Sequence, residues 1–224
     1  MHDPETDTTP YAISVDAGSL AAPARKRPKP GERRVQILQA LATMLEQPGA
    51  ERVTTAALAA RLEVSEAALY RHFASKAQMF EGLIEFIEHT VFALLNQIVP
   101  LGDNTPAASA DTGVRQAGRV VAVLLQFAEK NPGMARVMVG DALVFENERL
   151  QQRMNQFFDR IESTLRQCLR SAAQSAGSDT PSMDAHVRAA VLTAFVMGRL
   201  QRFARSGFRR LPSEHLDASL ALVL

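Results

Sequence analysis

A run of polar side chains between positions 65 and 76 could bind nucleic acid. Hydroxyl, imidazole and cationic groups are common donors to phosphate oxygens, and a glutamate can accept a hydrogen bond from a cytosine amino group. These groups follow one another at short spacing, as Ser65, Glu66, Tyr70, Arg71, His72 and Lys76. Their density predicts a DNA-contacting surface, provided that the local structure turns them toward one side.

Two short helices joined by a tight turn are predicted from Thr54 to Lys76. Thr54 and Thr55 are suited to cap the first helix. Its small apolar face consists of Ala56, Leu58, Ala59 and Leu62. The turn falls at Glu63-Val64-Ser65, and Ser65 can cap the second helix. This is the layout of a helix-turn-helix DNA-binding motif.

The second helix of this motif is expected to have one buried and one exposed face. Its inward residues are predicted to be Ala68, Leu69 and Phe73. Its outward residues are predicted to be Glu66, Ala67, Tyr70, Arg71 and His72. Spacing alone leaves open an ordinary helical hairpin whose polar face is simply solvated.

Base recognition would fall to the residues at the front of the second helix, where a side chain can reach the major groove. The candidates are Ser65, Glu66 and Ala67. An alanine there can touch a thymine methyl group, just as a glutamate can pair with cytosine. The residues further along are predicted to anchor the DNA backbone, and they are Tyr70, His72 and Lys76.

The segment from Gly31 to about Glu88 resembles the DNA-binding domain of the TetR family. The matching residues are Val53-Thr54-Thr55, Leu58-Ala59, Val64-Ser65, Leu69-Tyr70-Arg71-His72-Phe73, Ser75-Lys76 and Phe80. The resemblance implies that Tyr70, His72 and Lys76 close the recognition helix and clamp the phosphate backbone. With the two cap threonines, the expected DNA-binding residues are Thr54, Thr55, Ser65, Glu66, Ala67, Tyr70, Arg71, His72 and Lys76.

Glu63 departs from the TetR pattern, in which a glycine commonly stands in the turn. If this residue adopts a left-handed backbone conformation, its side chain costs roughly 1–2 kcal/mol. We therefore expect either a slightly different turn or strain that the fold tolerates.

The composition indicates a soluble regulator. The chain of 224 residues, 46% of them hydrophobic, can form one small and one larger domain, and its net charge of +1 favours no particular partner. Cys168 is the only cysteine, which excludes an internal disulfide, and its spacing from Ile161 and Leu165 predicts a core or interface position. With no signal peptide and no apolar run of about 20 residues, we expect a cytosolic protein without membrane contact.

Positive charge is concentrated just ahead of the first predicted helix and in its first turn. The basic residues are Arg25, Lys26, Arg27, Lys29, Arg33 and Arg34, with Glu32 opposing them. A flexible basic arm beside a helix-turn-helix would add salt-dependent affinity for DNA. The alternative is the end of a linker that improves solubility.

Apolar periodicity predicts an all-α fold of about nine helices. Residues 1–30 are expected to be disordered, residues 31–77 to form the DNA-binding domain, and residues 78–224 to form a helical dimerisation and partner-binding domain. Besides the helix-turn-helix, helices are predicted at 32–47, 76–99, 114–129, 134–146, 148–174 and 183–206. No segment stands out as a β-strand.

The extent of the apolar stripes predicts a homodimer interface as well as a core. The TetR resemblance implies that the last two long helices pair with their symmetry mates. Two recognition helices would then reach successive major-groove turns, about 34–36 Å apart, and would favour a palindromic site.

Further matches lie beyond the helix-turn-helix, at Met79-Phe80, Glu129-Lys130-Asn131-Pro132-Gly133, Arg149-Leu150-Gln151 and Arg160-Ile161-Glu162. By these residues the chain is similar to the nucleoid occlusion factors within the TetR family, and the similarity extends from about Glu32 to Ala218. The resemblance implies a dimer that binds chromosomal sites and engages the C-terminal tail of the division protein FtsZ, which antagonises Z-ring assembly over the DNA. The residues that it implies for binding the FtsZ tail are Phe86, Lys130 and Asn131. Leu94 departs from the pattern, which has a basic residue there, and we expect weaker pairing with an acidic peptide.

These three residues, and the chain as a whole, each have an alternative interpretation. Phe86 could pack in the core, and Lys130 and Asn131 could form a solvated helix end. The competing function is a transcriptional repressor released by a small molecule, which requires an enclosed pocket with inward polar groups.

Catalysis is not predicted, because the chain has no glycine-rich phosphate loop, no metal-ligand cluster and no nucleophile elbow. The histidines are scattered through the sequence, at His2, His72, His89, His186 and His215. No cofactor or metal is expected. The predicted location is the nucleoid, within the cytoplasm.

Overall fold

The computed structural model describes residues 31–47, 53–99 and 110–224, and all regular structure in these ranges is helical. The helices are α1 (Glu32–Leu45), α2 (Thr55–Arg61), α3 (Glu66–Tyr70), α4 (Lys76–Ile98), α5 (Ala110–Lys130), α6 (Pro132–Met138), α7 (Glu148–Ser175), α8 (Pro181–Arg205) and α9 (Leu216–Leu220). The predicted all-α fold with about nine helices is confirmed. The disorder predicted for residues 1–30, and the basic residues from Arg25 to Lys29, lie outside the described residues.

Polar side chains fix the starts of the helices that build and support the helix-turn-helix. Their oxygens accept hydrogen bonds from backbone N–H groups in the first turns of α2, α3, α4 and α7. The capping residues are Thr54, Ser65, Ser75 and Asn147. Each cap satisfies a donor that has no partner within the helix and is worth about 1 kcal/mol.

The chain from α5 to α7 differs from the prediction. α5 begins at Ala110, earlier than expected. α5 ends at Lys130, and Pro132 is the first residue of α6, where its missing N–H costs nothing and its fixed φ suits a helix start. Gly140, at φ 82°, separates α6 from a 3-10 turn, Asp141–Leu143. The one segment predicted at 134–146 is therefore two shorter elements.

α7 and α8 form a hairpin that packs against α5, and α4 contacts both α5 and α7. The buried stripe of α7 agrees with the periodicity and consists of Leu150, Met154, Phe157, Phe158, Ile161, Leu165 and Leu169. Arg153 of α7 donates two hydrogen bonds to the carboxylate of Glu88 on α4, at 2.6 and 3.2 Å. The hydrogen bond with Glu88 raises the pKa of the Arg153 guanidinium. This ion pair joins α4 and α7 beside the apolar core.

Periodicity predicts inward stripes of Val35, Leu38, Leu41, Ala42 and Leu45 on α1, and of Val187, Val191, Phe195 and Leu200 on α8. The structure buries Leu41, Leu45 and Leu200 but differs at other positions. On α1, Val35 is exposed and Ile37 is buried. On α8, Val187 and Val191 are exposed, and the buried stripe consists of Ala185, Ala189, Leu192, Val196, Leu200 and Phe203. Both helices carry apolar residues on more than one side, so periodicity does not identify the side that faces the core.

The three N-terminal helices are held against the larger unit by α4 and α6. A β-carbon built on Gly133 of α6 would collide with the carbonyl oxygen of Ala42 on α1, so the two backbones touch and a glycine is needed. The buried side chains of α1, at Ile37, Leu41 and Leu45, belong to the same apolar cluster as those of α4. The position of the helix-turn-helix therefore depends on the larger unit.

Candidate nucleic-acid interface

α3 combines two buried anchors with an exposed polar side. Leu69, on the helix, and Phe73, just beyond it, are almost fully buried. The exposed residues along the same segment are Ser65, Glu66, Ala67, Tyr70, Arg71 and His72. This arrangement matches the predicted inward and outward faces, and DNA contact by the outward residues stays a prediction.

The first turns of α2 and α3 are joined by a short hydrogen bond. The Thr55 hydroxyl donates to a carboxylate oxygen of Glu66 at 2.6 Å. Glu66 can still accept from a base, because an ionised carboxylate offers about four lone-pair sites. Thr55 therefore orients the front of α3, where base recognition is expected, in addition to the DNA contact predicted for it.

The turn between α2 and α3 is a Schellman motif with a glutamate at the left-handed position. The N–H of Glu63 donates to the Ala60 carbonyl at 3.1 Å, and the N–H of Val64 donates to the Ala59 carbonyl at 3.0 Å. Glu63 has φ 53°. We expected either an altered turn or a strained residue at Glu63. The turn has regular Schellman geometry, so the strain lies at Glu63.

Arg34 of α1 holds the C-terminal end of α3. Its Nη1 donates to the His72 carbonyl oxygen at 3.2 Å, and its guanidinium carbon lies 4.2 Å from the centre of the Phe73 ring. The sequence identifies Arg34 only as part of a basic cluster. No local pattern indicates this contact, because Arg34 lies on α1 and His72 follows α3, much further along the chain.

Lys76 is engaged by the larger unit. Its Nζ lies 2.5 Å from Oε1 of Glu146, whose side chain is 9% exposed. An ammonium group has three donors, so Lys76 can keep this partner and still donate to a phosphate. The sequence alone does not single out Glu146, since it lies far along the chain and pairs with Lys76 only through the fold.

The residues predicted to bind a peptide lie on α4 and at the junction of α5 and α6. Phe86 is 47% exposed, which excludes the core-packing alternative, and Leu94 on the same helix is 38% exposed. Lys130 is exposed at the end of α5. Asn131 donates from Nδ2 to the Phe127 carbonyl oxygen at 2.8 Å, so it does contribute to the end of that helix. These residues belong to neighbouring helices, because α5 and α6 both contact α4.

The part of the chain that the structure describes holds no grouping of three His, Cys, Asp or Glu side chains that could bind a metal ion. Among the described helices, none is long and apolar enough to cross a membrane. Cys168 is buried, as predicted, and this burial raises the pKa of its thiol to about 11.

The fold and the exposed recognition helix define a helical DNA-binding regulator. The family model for bacterial regulatory proteins of the tetR family matches residues 37–83, and the model for a tetracyclin repressor-like C-terminal domain of SlmA-like type matches residues 111–224.

Two solved structures share the fold. The fatty acid degradation regulator FadR from Bacillus halodurans has a TM-score of 0.67 at 14% identity, covering 88% of this chain and 96% of that one. The TetR family regulator PfmR from Thermus thermophilus has a TM-score of 0.66 at 20% identity, covering 84% and 97%.

Curated relatives are much more similar in sequence. The nucleoid occlusion factor SlmA of Vibrio cholerae serotype O1 is 50% identical over 192 residues, which are 85% of this chain and 93% of the relative. SlmA of Idiomarina loihiensis is 48% identical over 186 residues, 83% of this chain and 90% of the relative. The chain therefore belongs to the SlmA family of TetR-type regulators. This membership confirms the predicted class, a non-enzymatic DNA-binding regulator.

Proposed function

We propose that the protein acts in nucleoid occlusion, as a homodimer that binds palindromic chromosomal sites and FtsZ together. Binding both would restrain Z-ring assembly, and hence division, over the nucleoid in the cytoplasm. The observation that carries the proposal is the 50% identity with Vibrio cholerae SlmA over 85% of this chain, which covers both the helix-turn-helix and the larger unit. A match limited to the helix-turn-helix would support only a general TetR regulator.

DNA binding is assigned to residues 31–77. Base recognition falls to the front of α3, and phosphate contacts fall to its end and to the helix caps. The proposed contact residues are Thr54, Thr55, Ser65, Glu66, Ala67, Tyr70, Arg71, His72 and Lys76. Two observations support this assignment: Thr55 fixes the front of α3 through Glu66, and Arg34 fixes its end through the His72 carbonyl. A recognition helix held at both ends loses little freedom on binding.

Residues 78–224 are proposed to form the dimer, and α8 offers the surface for a second copy of the chain. Its outer side carries apolar residues that are between 43% and 62% exposed, Met183, Val187, Val191 and Met197. A cavity of about 560 Å³, open to the surface, adjoins this side at Phe195 and Gly198. Exposed apolar surface along a whole helix is typical of a protein interface. Two-fold pairing through α7 and α8 would bring two copies of α3 to successive major-groove turns, about 34–36 Å apart.

A peptide with acidic and apolar residues fits the surface formed by α4 and the α5–α6 junction, and the C-terminal tail of FtsZ is the proposed peptide. Phe86 and Leu94 supply exposed apolar area, and Lys130 supplies positive charge. Asn131, the residue after Lys130, adds a side-chain amide to this surface. Because Leu94 replaces a basic residue of the pattern, more of the charge recognition falls to Lys130, and affinity should depend strongly on it.

The alternative is a repressor released by a small molecule, which requires an enclosed pocket with polar anchors. Over the described ranges, Thr193 is the buried polar side chain of the core, and its hydroxyl oxygen has no hydrogen-bond partner. A lone hydroxyl offers little to orient a polar ligand, so the division-control function is preferred.

The proposal is tested by binding of a fluorescent FtsZ C-terminal tail peptide to the purified protein, with and without a selected palindromic duplex. We expect saturable binding in both cases. Lys130→Ala and Phe86→Ala should each weaken it about tenfold, which corresponds to about 1.4 kcal/mol. Arg166→Ala serves as the matched control. It removes an exposed arginine from α7, a helix that is not part of the proposed peptide surface.

Two outcomes would contradict the proposal at different levels. Unchanged peptide affinity in both Lys130→Ala and Phe86→Ala would remove the α4 surface from the tail-binding role. No peptide binding with or without DNA would remove the FtsZ function itself and leave a DNA-binding regulator of another kind.

A further inference from the structure

Four arginines form a basic cluster at the C-terminal end of α8 and in the turn after it, Arg202, Arg205, Arg209 and Arg210. All four residues are exposed. The sequence from 200 to 213 contains no acidic residue. In the described ranges no carboxylate forms an ion pair with any of the four. The cluster is a local concentration of positive charge on a chain whose net charge is only +1.

Two charged groups next to the cluster, Arg199 and Glu129, are engaged in other contacts. The exposed carboxylate of Glu214 lines an open cavity together with Arg202 and lies 3.7 Å from His215 Nε2. Arg199, one turn earlier on α8, donates to the Glu214 carbonyl oxygen and to the Ser219 hydroxyl, each at 2.8 Å. Glu129 of α5 accepts a hydrogen bond from the Ser213 N–H at 2.8 Å. Arg199 therefore holds the C-terminal segment, and the cluster consists of the four arginines that follow it.

The turn that carries Arg209 and Arg210 has a fixed structure. The hydroxyl oxygen of Ser206 accepts hydrogen bonds from the N–H groups of both residues, at 3.1 and 3.0 Å. Phe208 packs edge-on against Phe203, with 5.1 Å between the ring centres. Because the backbone is already ordered, the cluster would lose less conformational freedom on binding than four arginines on a loose tail.

The cluster lies on the side of the larger unit that faces the helix-turn-helix. α7 begins close to Glu146, which contacts Lys76, and α8 returns along α7 after a short connection. The end of α8 is therefore near the start of α7. Phe208 also lies 5.1 Å from the guanidinium of Arg136 on α6, and α6 touches α1.

In a DNA-bound dimer, the two clusters would lie between the two recognition helices. The exposed apolar side of α8 continues into Arg202 and Arg205 along the same side of the helix. Both copies of α3 must face one duplex, so the two-fold axis brings both clusters to the DNA side. The duplex between the half-sites carries one phosphate charge about every 1.7 Å.

We propose that the cluster is a second DNA-binding surface, which contacts phosphates between the two half-sites and does not read sequence. This inference rests on the DNA-binding dimer proposed above. DNA is favoured over an acidic protein segment because the cluster lies on the side of the recognition helices, where arginine forks can bind phosphate oxygens in pairs.

The test measures DNA affinity of the full chain at a series of salt concentrations, on one duplex with a selected palindrome and one without it. The variants are Arg209→Gln/Arg210→Gln and the quadruple Arg-to-Gln change. Removing one phosphate interaction should lower the slope of log affinity against log salt by about 0.9, on both duplexes alike. At low salt the quadruple variant, which removes four phosphate interactions, should bind at least about tenfold more weakly, with an unchanged preference for the palindrome.

The matched control is Arg166→Gln/Arg170→Gln, which removes the same charge as the double variant from the opposite end of the α7–α8 hairpin. Arg209→Lys/Arg210→Lys should keep the salt slope, because it retains the charge. An unchanged slope in the quadruple variant, or an equal fall in the control, would overturn the proposal. Normal DNA binding with loss of FtsZ-peptide binding would also overturn it and indicate a protein partner. Wild-type protein that shows no palindrome preference would instead contradict the proposed function.

Discussion

Lys76 Nζ and Glu146 Oε1 lie 2.5 Å apart, so the lysine that follows the recognition helix is bound to an acid of the larger unit. This contact has two consequences. It ties the helix-turn-helix to the segment that begins α7, and it makes Glu146 a competitor for the cation that the TetR pattern assigns to phosphate. DNA affinity and the docking of the two units should therefore depend on the same ion pair.

We expect opposite effects on DNA binding from the two halves of this pair. Glu146→Gln keeps the side-chain shape and releases the full charge of Lys76, so DNA affinity should rise severalfold.

Lys76→Gln should lower the salt slope by about 0.9, the value for one phosphate interaction. It should also lower the free energy of unfolding by about 1–3 kcal/mol, because the Glu146 carboxylate is left 9% exposed without its cation. DNA titrations at several salt concentrations measure the slope, and denaturant melts measure the free energy of unfolding. If the slope of log affinity against log salt is unchanged in Lys76→Gln, then Lys76 has a structural role only.

Glu63→Gly should stabilise the protein by about 0.5–1 kcal/mol. Glycine relieves left-handed strain of roughly 1–2 kcal/mol, and the greater freedom of glycine in the unfolded chain offsets part of this gain. Gly207 serves as the control, because it occupies the same left-handed position in the Schellman turn that ends α8. Its φ is 62°, and a β-carbon added there would meet no other atom within 4 Å. Gly207→Ala should be destabilising by about 1 kcal/mol. Thermal melts that moved both variants in the same direction would contradict the strain argument.

Gly133→Ala should separate α6 from α1. The added methyl group would meet the Ala42 carbonyl oxygen, which belongs to rigid helix backbone. We expect a decrease of about 2 kcal/mol or more in unfolding free energy, together with weaker DNA binding, because the position of the helix-turn-helix depends on this contact. The control is Gly118→Ala on α5, where the new methyl group meets only side-chain carbons at ordinary distances. Equal stability of the two variants would mean that α6 can move away at little cost.

Cys168 should react slowly with an alkylating reagent in the folded protein. Burial raises the pKa of its thiol to about 11, against an ordinary value of 9.0. Only the thiolate reacts, so at pH 8 the rate should be at least about 100-fold below that of the denatured chain. The unfolded thiol ionises first as the pH rises, so this group should lower stability between pH 9 and 11. A rate equal to that of the denatured chain would contradict the buried position.

Local sequence is sufficient to predict the recognition helix. Thr54 and Ser65 cap the helices that follow them, and Leu69 and Phe73 mark the inward side of α3, as the structure has them. Caps and periodicity depend on residues within a few positions, so they can be identified without the rest of the fold. The strain at Glu63 was expected from the resemblance to the TetR family, which commonly has a glycine in this turn.

The features that could not be predicted depend on partners distant in sequence. Val187 and Val191 form an apolar stripe, but only the packing of α8 shows that they point away from the core. Glu146 and Arg34 look like ordinary surface charges until the fold brings them to Lys76 and His72. The helix predicted from position 134 begins at Pro132 instead, because a proline is suited to the first position of a helix as well as to the end of one.

The short connection between α7 and α8 bears on the order in which the protein folds. These two long helices are adjacent in the chain, so their mutual contacts close only a small loop, which costs little entropy and favours rapid formation. The contact between Ala42 and Gly133 instead closes a very long loop. We therefore expect the hairpin to form early and the helix-turn-helix to dock late. During synthesis the DNA-binding segment, although made first, would reach its final position only after the rest of the chain had folded.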